Sequence, residues 1–380
     1  DRIVDRHRRG SSGAYRVGFR TVSGESPLVS IVVPVYDGER YLRASLDSIL
    51  AQGYRPTEVI VMDDDSTDST PALIASYGDR VRSVRQAQNR GIYGNVNGGI
   101  ALARGEYVAV YHADDLYEPE IVEREVAFLE AHPQAGAVFC KDVMIDPLGR
   151  EQGRLVLPPE VRAERPLDYA QVLDALLKYK NSFLVCPSAM VRASIYREVG
   201  PYRDAEFRNT ADLDMWLRIA RRSTIGVLDQ YLLRYRFGHD NSAQRYHRLR
   251  TDAERFFTIL DRYLNEDGRP LVTPDAVAAY EAHRGEDQLT RCANAYVLGQ
   301  RRAARAILDE LRVSRLAASP AVQRGRLLVL YLLMTVLVRL PRSSSLAELL
   351  RWRRWGTGSR RRGSVPPWAR ASGASGERPV

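Results

Sequence analysis

Apolar positions between residues 29 and 235 switch repeatedly between continuous runs and helical spacing, and each switch marks an element. The first run, Val29-Ser30-Ile31-Val32-Val33-Pro34-Val35-Tyr36, is the pattern of a strand buried on both faces. Pro34 ends its regular part, and Asp37-Gly38-Glu39 turns the chain into a helix over 41–50, with Leu42, Leu46, Ile49 and Leu50 inward. A second strand over 58–62 completes a βαβ unit. The pattern then predicts a strand at 81–84, a helix through 100–103, and a central strand from Tyr107. A helix at 120–130 follows, with Val122, Val126 and Leu129 inward, then a strand at 137–140. Residues 150–180 read as a polar loop and a helix at 169–177, and 182–192 as strand. Leu213, Trp216, Leu217 and Ala220 mark an amphipathic helix, and 231–235 a last strand. Alternating strands and helices argue an α/β domain with a mainly parallel sheet and helices on both faces.

Beyond residue 246 the strand pattern stops and a helical extension is expected, clearest at 303–311. The expected division is a flexible basic arm at 1–26, the α/β domain at 27–245, a helical extension at 246–341 and a basic, disordered tail at 342–380. Within the extension, an apolar helix at 326–340 holds twelve uncharged residues, 327–338, flanked by Arg. That is too few to span a bilayer. Trp352, Trp355 and seven Arg follow among 351–370, which suits an anionic membrane interface through 326–362. A buried core helix followed by a disordered tail explains the same pattern.

Charge changes the picture only at the ends. The net charge is +9, but the first twenty and last forty residues carry the Arg excess while the middle carries most acids. No nucleic-acid partner is expected, because no stacking platform or reader motif accompanies the Arg. Cys140, Cys186 and Cys292 lack metal-ligand spacing and fit a reducing compartment. Residues 1–9 hold no apolar core of a secretory signal. The expected location is cytoplasmic, at the inner face of the plasma membrane.

Three acidic clusters fall at strand or helix ends: Asp63 to Asp65, Asp114-Asp115, and Asp212 with Asp214. Ligands of open α/β sheets bind at the carboxyl edge of the strands, and paired carboxylates there suit Mg²⁺ or Mn²⁺ with a substrate phosphate. A solvated turn explains Asp114-Asp115 as well, and the helix dipole explains Asp212 and Asp214. Asp68, Ser69, Thr70 and Pro71 make a good helix start. The triple acid before them has no such explanation, because three carboxylates at one strand end repel each other unless something compensates. Met62-Asp63-Asp64-Asp65-Ser66-Thr67 also resembles the nucleophile loop of haloacid dehalogenase-type phosphatases. Those enzymes need a Lys to hold the phosphoryl group, and none lies between residues 65 and 115.

The whole pattern over residues 28–242 resembles the family 2 glycosyltransferases. Ser30 to Tyr36 is similar to the family's opening strand. Val59 to Asp68 is similar to a strand ending in Asp-Asp-Gly-Ser-x-Asp. Asn89-Arg90-Gly91 with Asn97, Gly105-Glu106-Tyr107 through Asp114-Asp115, and Ala211 to Arg218 continue the match in order. The resemblance implies a GT-A fold and transfer of a sugar from a nucleoside-diphosphate donor, a UDP-sugar foremost, to a glycan or lipid-linked acceptor. It implies inversion and Mn²⁺ or Mg²⁺. It places Pro34 and Tyr36 at the nucleobase, with Tyr36 stacking. Asp63, Asp64, Asn89, Gly91 and Asn97 would contact the nucleotide or donor, Asp114 the ribose or sugar. Asp115 and His239 would hold the metal and diphosphate, and Asp212 would be the general base. Asp65 departs from the family by replacing a Gly, Val96 by replacing an Arg, and His112 by replacing an acid. Thr210-Ala211 lacks the family's frequent Glu. A nucleotide-sugar-binding protein without activity is the alternative.

Overall fold

The computed structural model describes residues 26–161, 165–238, 249–317 and 321–340. Nine strands form one sheet: β1 (Val29–Val35), β2 (Thr57–Asp63), β3 (Arg82–Arg85), β4 (Tyr107–Val110), β5 (Leu116–Tyr117), β6 (Ala135–Ile145), β7 (Glu151–Arg154), β8 (Ala189–Arg192) and β9 (Thr224–Arg236). Their order is β3-β2-β1-β4-β8-β6-β9-β5, with β7 added on β6. The first four are mutually parallel. Strand β8 runs antiparallel to both β4 and β6, while β6 and β9 are parallel.

Side chains alternate across this sheet and build two apolar layers. Val32, Ile60 and Val108 face α3 (Gly91–Leu102), α5 (Tyr169–Tyr179) and α8 (Ala211–Ala220). Ile31, Val33, Val59 and Val61 face α1 (Leu42–Leu50) and α4 (Ile121–Ala131). Every residue of β1 is buried, as its unbroken apolar run requires. Helix α3 lies close on β1: a Cβ on Gly99 would come within 2.3 Å of Val32 Cγ1, so only glycine fits there.

Several elements differ from the sequence expectation. The strand expected at 182–192 is only β8, because a 3₁₀ turn at Cys186–Ser188 breaks it. Strand β6 continues to Ile145 and turns into β7, a hairpin hidden in a polar stretch. Strand β9 begins at Thr224 and absorbs Asp229 and Gln230 where its register against β6 shifts, which masked its apolar pattern.

The helices after the sheet are α9 (Arg255–Tyr263), α10 (Pro274–Val297), α11 (Arg301–Asp309), α12 (Val313–Ala317) and α13 (Ala321–Leu337). Phe256, Phe257 and Tyr263 of α9 and Tyr280 of α10 share one apolar cluster with α5 and α8. Asp214 supplies the polar tie within it. Its buried carboxylate accepts from Arg218 Nε at 2.8 Å and from the Tyr263 hydroxyl at 2.9 Å. Arg218 in turn donates to the carbonyls of Val199 and Pro201, at 2.6 and 2.9 Å. Asp214→Ala strands that buried guanidinium and is expected to cost about 3–5 kcal/mol. A urea titration checks this, and an unchanged midpoint would contradict the structural role given to Asp214.

Candidate active site

The turns after β1 and β2 are sewn together by polar side chains. The Asp37 amide donates to Ser66 Oγ at 3.0 Å, and Asp37 Oδ1 accepts from the Thr67 amide at 2.8 Å. The Gly38 amide donates to Thr70 Oγ1 at 2.8 Å, and Ser69 Oγ donates to Glu39 Oε2 at 2.7 Å. The hydroxyls expected to cap the next helix, α2 (Thr70–Ala75), therefore bridge the two turns instead, and Asp68 Oδ1 accepts from the Thr70 amide at 2.9 Å. Pro71 does sit in the first turn of that helix.

The triple acid at the end of β2 has three different partners. Asp63 is buried, accepts from the Ser66 amide at 3.0 Å, and lies 3.2 Å from Arg85 Nη1. Asp65 is half-exposed and meets Arg85 Nη2 at 3.1 Å. Its φ is +66°, so it occupies the left-handed turn conformation that glycine would fill, and Asp tolerates it better than most residues. Asp64 points the other way, where its Oδ1 accepts from the Arg90 amide at 2.8 Å. Burial pushes its pKa up in spite of the Arg90 and Gly91 amides. Asp63, which the phosphatase resemblance would make the nucleophile, is tied into the turn and ion-paired.

Asn89 and Gly91 shape the loop that meets Asp64. Asn89 Oδ1 accepts from the Gly91 amide at 3.0 Å, and Gly91 has a φ of +74°. Asn97 is occupied elsewhere. Its side chain donates to the Tyr202 carbonyl at 2.9 Å and accepts from the Tyr202 amide at 2.8 Å. Val96 is core. Tyr36, at the exit of β1 just beyond Pro34, is 52% exposed.

Beyond β4 the chain brings His112, Asp114 and Asp115 together, with ligand atoms all within 4.8 Å of one another. Asp115 is fully buried. Its Oδ1 accepts from the Arg236 amide at 2.7 Å, and its Oδ2 has no hydrogen-bond partner. His112 Nε2 is likewise buried and unpartnered. Burial pushes the His112 pKa down, which leaves a neutral imidazole. Two orphaned donor atoms beside Asp114 fit a hard divalent cation. The Arg236 guanidinium braces the cluster: it donates to the Asp114 carbonyl at 2.8 Å and lies 4.6 Å from the centre of the Tyr41 ring. His239 lies outside the described residues.

Asp212 opens α8 from another direction. Burial pushes its pKa up to about 6, against a hydrogen bond from the Tyr93 hydroxyl of α3. Tyr93 stacks on Tyr202 at 5.1 Å, and Tyr202 meets Trp216 edge-on at 6.0 Å. The Asn97–Tyr202 pair thereby positions Asp212 through Tyr93. The Cys186 thiol is raised by burial and by the charges of Asp212 and Asp115.

Tyr93, Arg236 and Asp142 are absent from the site expected from sequence. Asp142 is buried on β6 with Oδ2 unpartnered, and burial raises its pKa to about 7. Its charge also raises the pKa of Asp115. An acid inside the apolar run 137–145 was the available signal, lost because the strand was expected to end at 140.

The profile of glycosyl transferase family 2 matches residues 30–200. A putative glycosyltransferase of Bacillus subtilis, EpsE, is 32% identical over 222 residues, which span 57% of this chain and 75% of that protein. An uncharacterized glycosyltransferase of Rickettsia typhi is 31% identical over 216 residues, 57% of this chain and 65% of its own length. The chain thus matches less than two thirds of that relative. Among solved structures, S. aureus TarS 1–349 in complex with UDP superposes with a TM-score of 0.54 at 18% identity, covering 86% of this chain and 91% of that one. The mannosyltransferase PcManGT of Pyrobaculum calidifontis, solved with GDP-Man and Mn²⁺, gives 0.50 at 18% identity, with 88% of each chain covered. With a GT-A fold extended by helices and these acidic strand ends, the chain belongs to glycosyl transferase family 2.

Proposed function

We propose that this glycosyltransferase moves a sugar from a nucleoside-diphosphate sugar to a hydroxyl of a glycan or lipid-linked acceptor, with inversion and a divalent metal. The observation that carries the reading is the contrast between two carboxylates, Asp115 and Asp212. Asp115 has an orphaned oxygen beside His112 Nε2, and Asp212 has a pKa of about 6 and a hydroxyl donor. The UDP bound to TarS, and the GDP-Man and Mn²⁺ bound to PcManGT, support a nucleotide-sugar donor and a metal. With this reading goes the division into a transfer unit at 27–245 and a helical extension at 246–341.

Asp115, Asp114 and His112 would hold the metal, with His239 a further ligand by family resemblance. Mn²⁺ or Mg²⁺ bound there would neutralise charge on the diphosphate. Tyr36 offers an exposed ring to the nucleobase at the end of Pro34's strand, and Asp64 accepts a hydrogen bond from the base. Asp63, Asn89 and Gly91 shape that pocket, while Asn97 contributes only indirectly, through its hydrogen bonds to Tyr202. Asp212 takes the proton from the acceptor hydroxyl as its oxygen attacks the anomeric carbon, while the bond to the diphosphate oxygen breaks. One base and one leaving group on opposite faces give a single displacement. A pKa of about 6 leaves Asp212 largely ionised at neutral pH, yet basic enough to accept the proton.

A thermal-shift panel of UDP, GDP, dTDP and CDP, with and without Mn²⁺, tests the donor site. One diphosphate is expected to raise Tm only with metal, and Asp115→Ala to abolish the rise. A rise that survives Asp115→Ala would overturn the metal assignment.

Asp212 makes two further measurements predictive. Transfer is expected to increase as pH rises through about 6, and Asp212→Asn to lower kcat by about 10²–10⁴ while keeping the nucleotide shift. Folding raises this pKa above its ordinary 3.8, so the protonated acid favours the native state, and that stability is lost as pH rises through about 6. Asp212→Asn is therefore expected to melt higher than wild type at pH 8, with the gain vanishing below about pH 4. An equal gain at both pH values would contradict the raised pKa of Asp212.

A further inference from the structure

Helix α13 has two apolar faces, and only one of them is packed. Leu327, Met334, Leu337 and the following Val338 are buried in a cluster with Leu289 and Tyr296 of α10 and Leu308 of α11. On the other side Val329, Leu332, Leu333, Val336 and Leu340 are 41–66% exposed. Leu332, Leu333 and Val336 lie three, four and seven positions after Val329, so they form one stripe, and Leu340 follows just past the end of the helix. A stripe of large aliphatic side chains on a soluble surface marks a contact. The packed face fits the buried core helix that the sequence offered as one explanation, and the exposed face is left without a partner among the described residues.

The charge around the stripe says what fits it. Arg326 at its amino end and Arg339 at its carboxyl end are exposed. Arg339 donates to the Thr335 carbonyl at 2.7 Å and sits 3.8 Å from Asp309. Residues 311–376 hold thirteen Arg, no Lys and a single acid, Glu348, with Trp352, Trp355 and Trp368 among them. Two copies meeting through this face would bring two such cationic segments together, and like charges oppose that. An anionic bilayer surface satisfies both features, since it takes up apolar side chains at the headgroup boundary and attracts the flanking Arg. No helix among the described residues is long and apolar enough to cross a membrane.

We infer that the exposed face of α13 lies on an anionic lipid surface, with Val329, Leu332, Leu333, Val336 and Leu340 inserted at the headgroup level. Arg326 and Arg339 at its two ends hold the headgroups. The inference goes beyond the catalytic reading and does not depend on it, because no site residue takes part.

Co-sedimentation of the full chain with vesicles tests it, using phosphatidylglycerol mixed with phosphatidylcholine against phosphatidylcholine alone. The wild type is expected to pellet with the anionic vesicles and to be released by high salt. Leu332→Asp/Val336→Asp is expected to lower the bound fraction about tenfold. Its Tm should stay unchanged, because neither side chain belongs to the packed face. A wild type that stays in the supernatant would overturn the inference, as would a double variant that pellets like wild type. A change in oligomeric mass by light scattering without loss of vesicle binding would assign the face to a second copy instead.

Discussion

Carboxylates crowded at one edge of a sheet repel one another, and the local structure of this chain follows from how that repulsion is offset. Arg85 sits between Asp63 and Asp65 and offsets two charges of the triple acid. Asp64 turns away to the Arg90 amide. Asp115 receives one backbone donor from Arg236 and keeps its other oxygen unpartnered. Asp63 and Asp65 are therefore offset by an ion pair, whereas Asp115 has a single hydrogen bond, from a backbone amide. Incomplete compensation of a buried acid is costly to the fold, and it is the property a metal or a proton acceptor requires.

Asp212, the proposed base, is held by a longer chain of contacts than the proposed metal cluster. Asn97 grips the backbone of Tyr202, Tyr202 stacks on Tyr93, and Tyr93 donates to Asp212. Two residues further along α8, and on another face of it, Asp214 and Arg218 fix the helix to α9 and to the turn before α7 (Asp204–Phe207). The two acids of Ala211–Ala220 are two residues apart and play opposite parts, since one is fully paired and the other faces the site. Arg221 extends the clamp to Glu266 and Asp267, at 2.8 and 2.6 Å. The helices that follow the sheet thus bear directly on where α8 sits.

Sequence patterning exposed the parallel half of the fold because β1, β2 and β4 are buried on both faces and read as unbroken apolar runs. The antiparallel half was harder to read. Asp142, Asp229 and Gln230 interrupt β6 and β9, and the polar hairpin to β7 has no apolar face to announce it. For the site, the acids were legible as clusters at strand ends, but their partners were not. Nothing in the spacing links Arg85 to Asp63, Arg236 to Asp115, or Tyr93 to Asp212, because each contact crosses between elements distant in sequence. His112 stood out as a departure from the family pattern, and only its orphaned nitrogen beside Asp115 gives it a place in the cluster.

The central claim is that His112, Asp114 and Asp115 form a metal centre completed by a nucleoside diphosphate. Electron paramagnetic resonance of Mn²⁺ titrated into the protein, with and without UDP or GDP, tests it most directly. The account predicts about one Mn²⁺ bound per chain, tightened by the diphosphate and lost in both Asp115→Asn and His112→Ala. Mn²⁺ binding that is indifferent to the diphosphate, or unchanged in both variants, would contradict it.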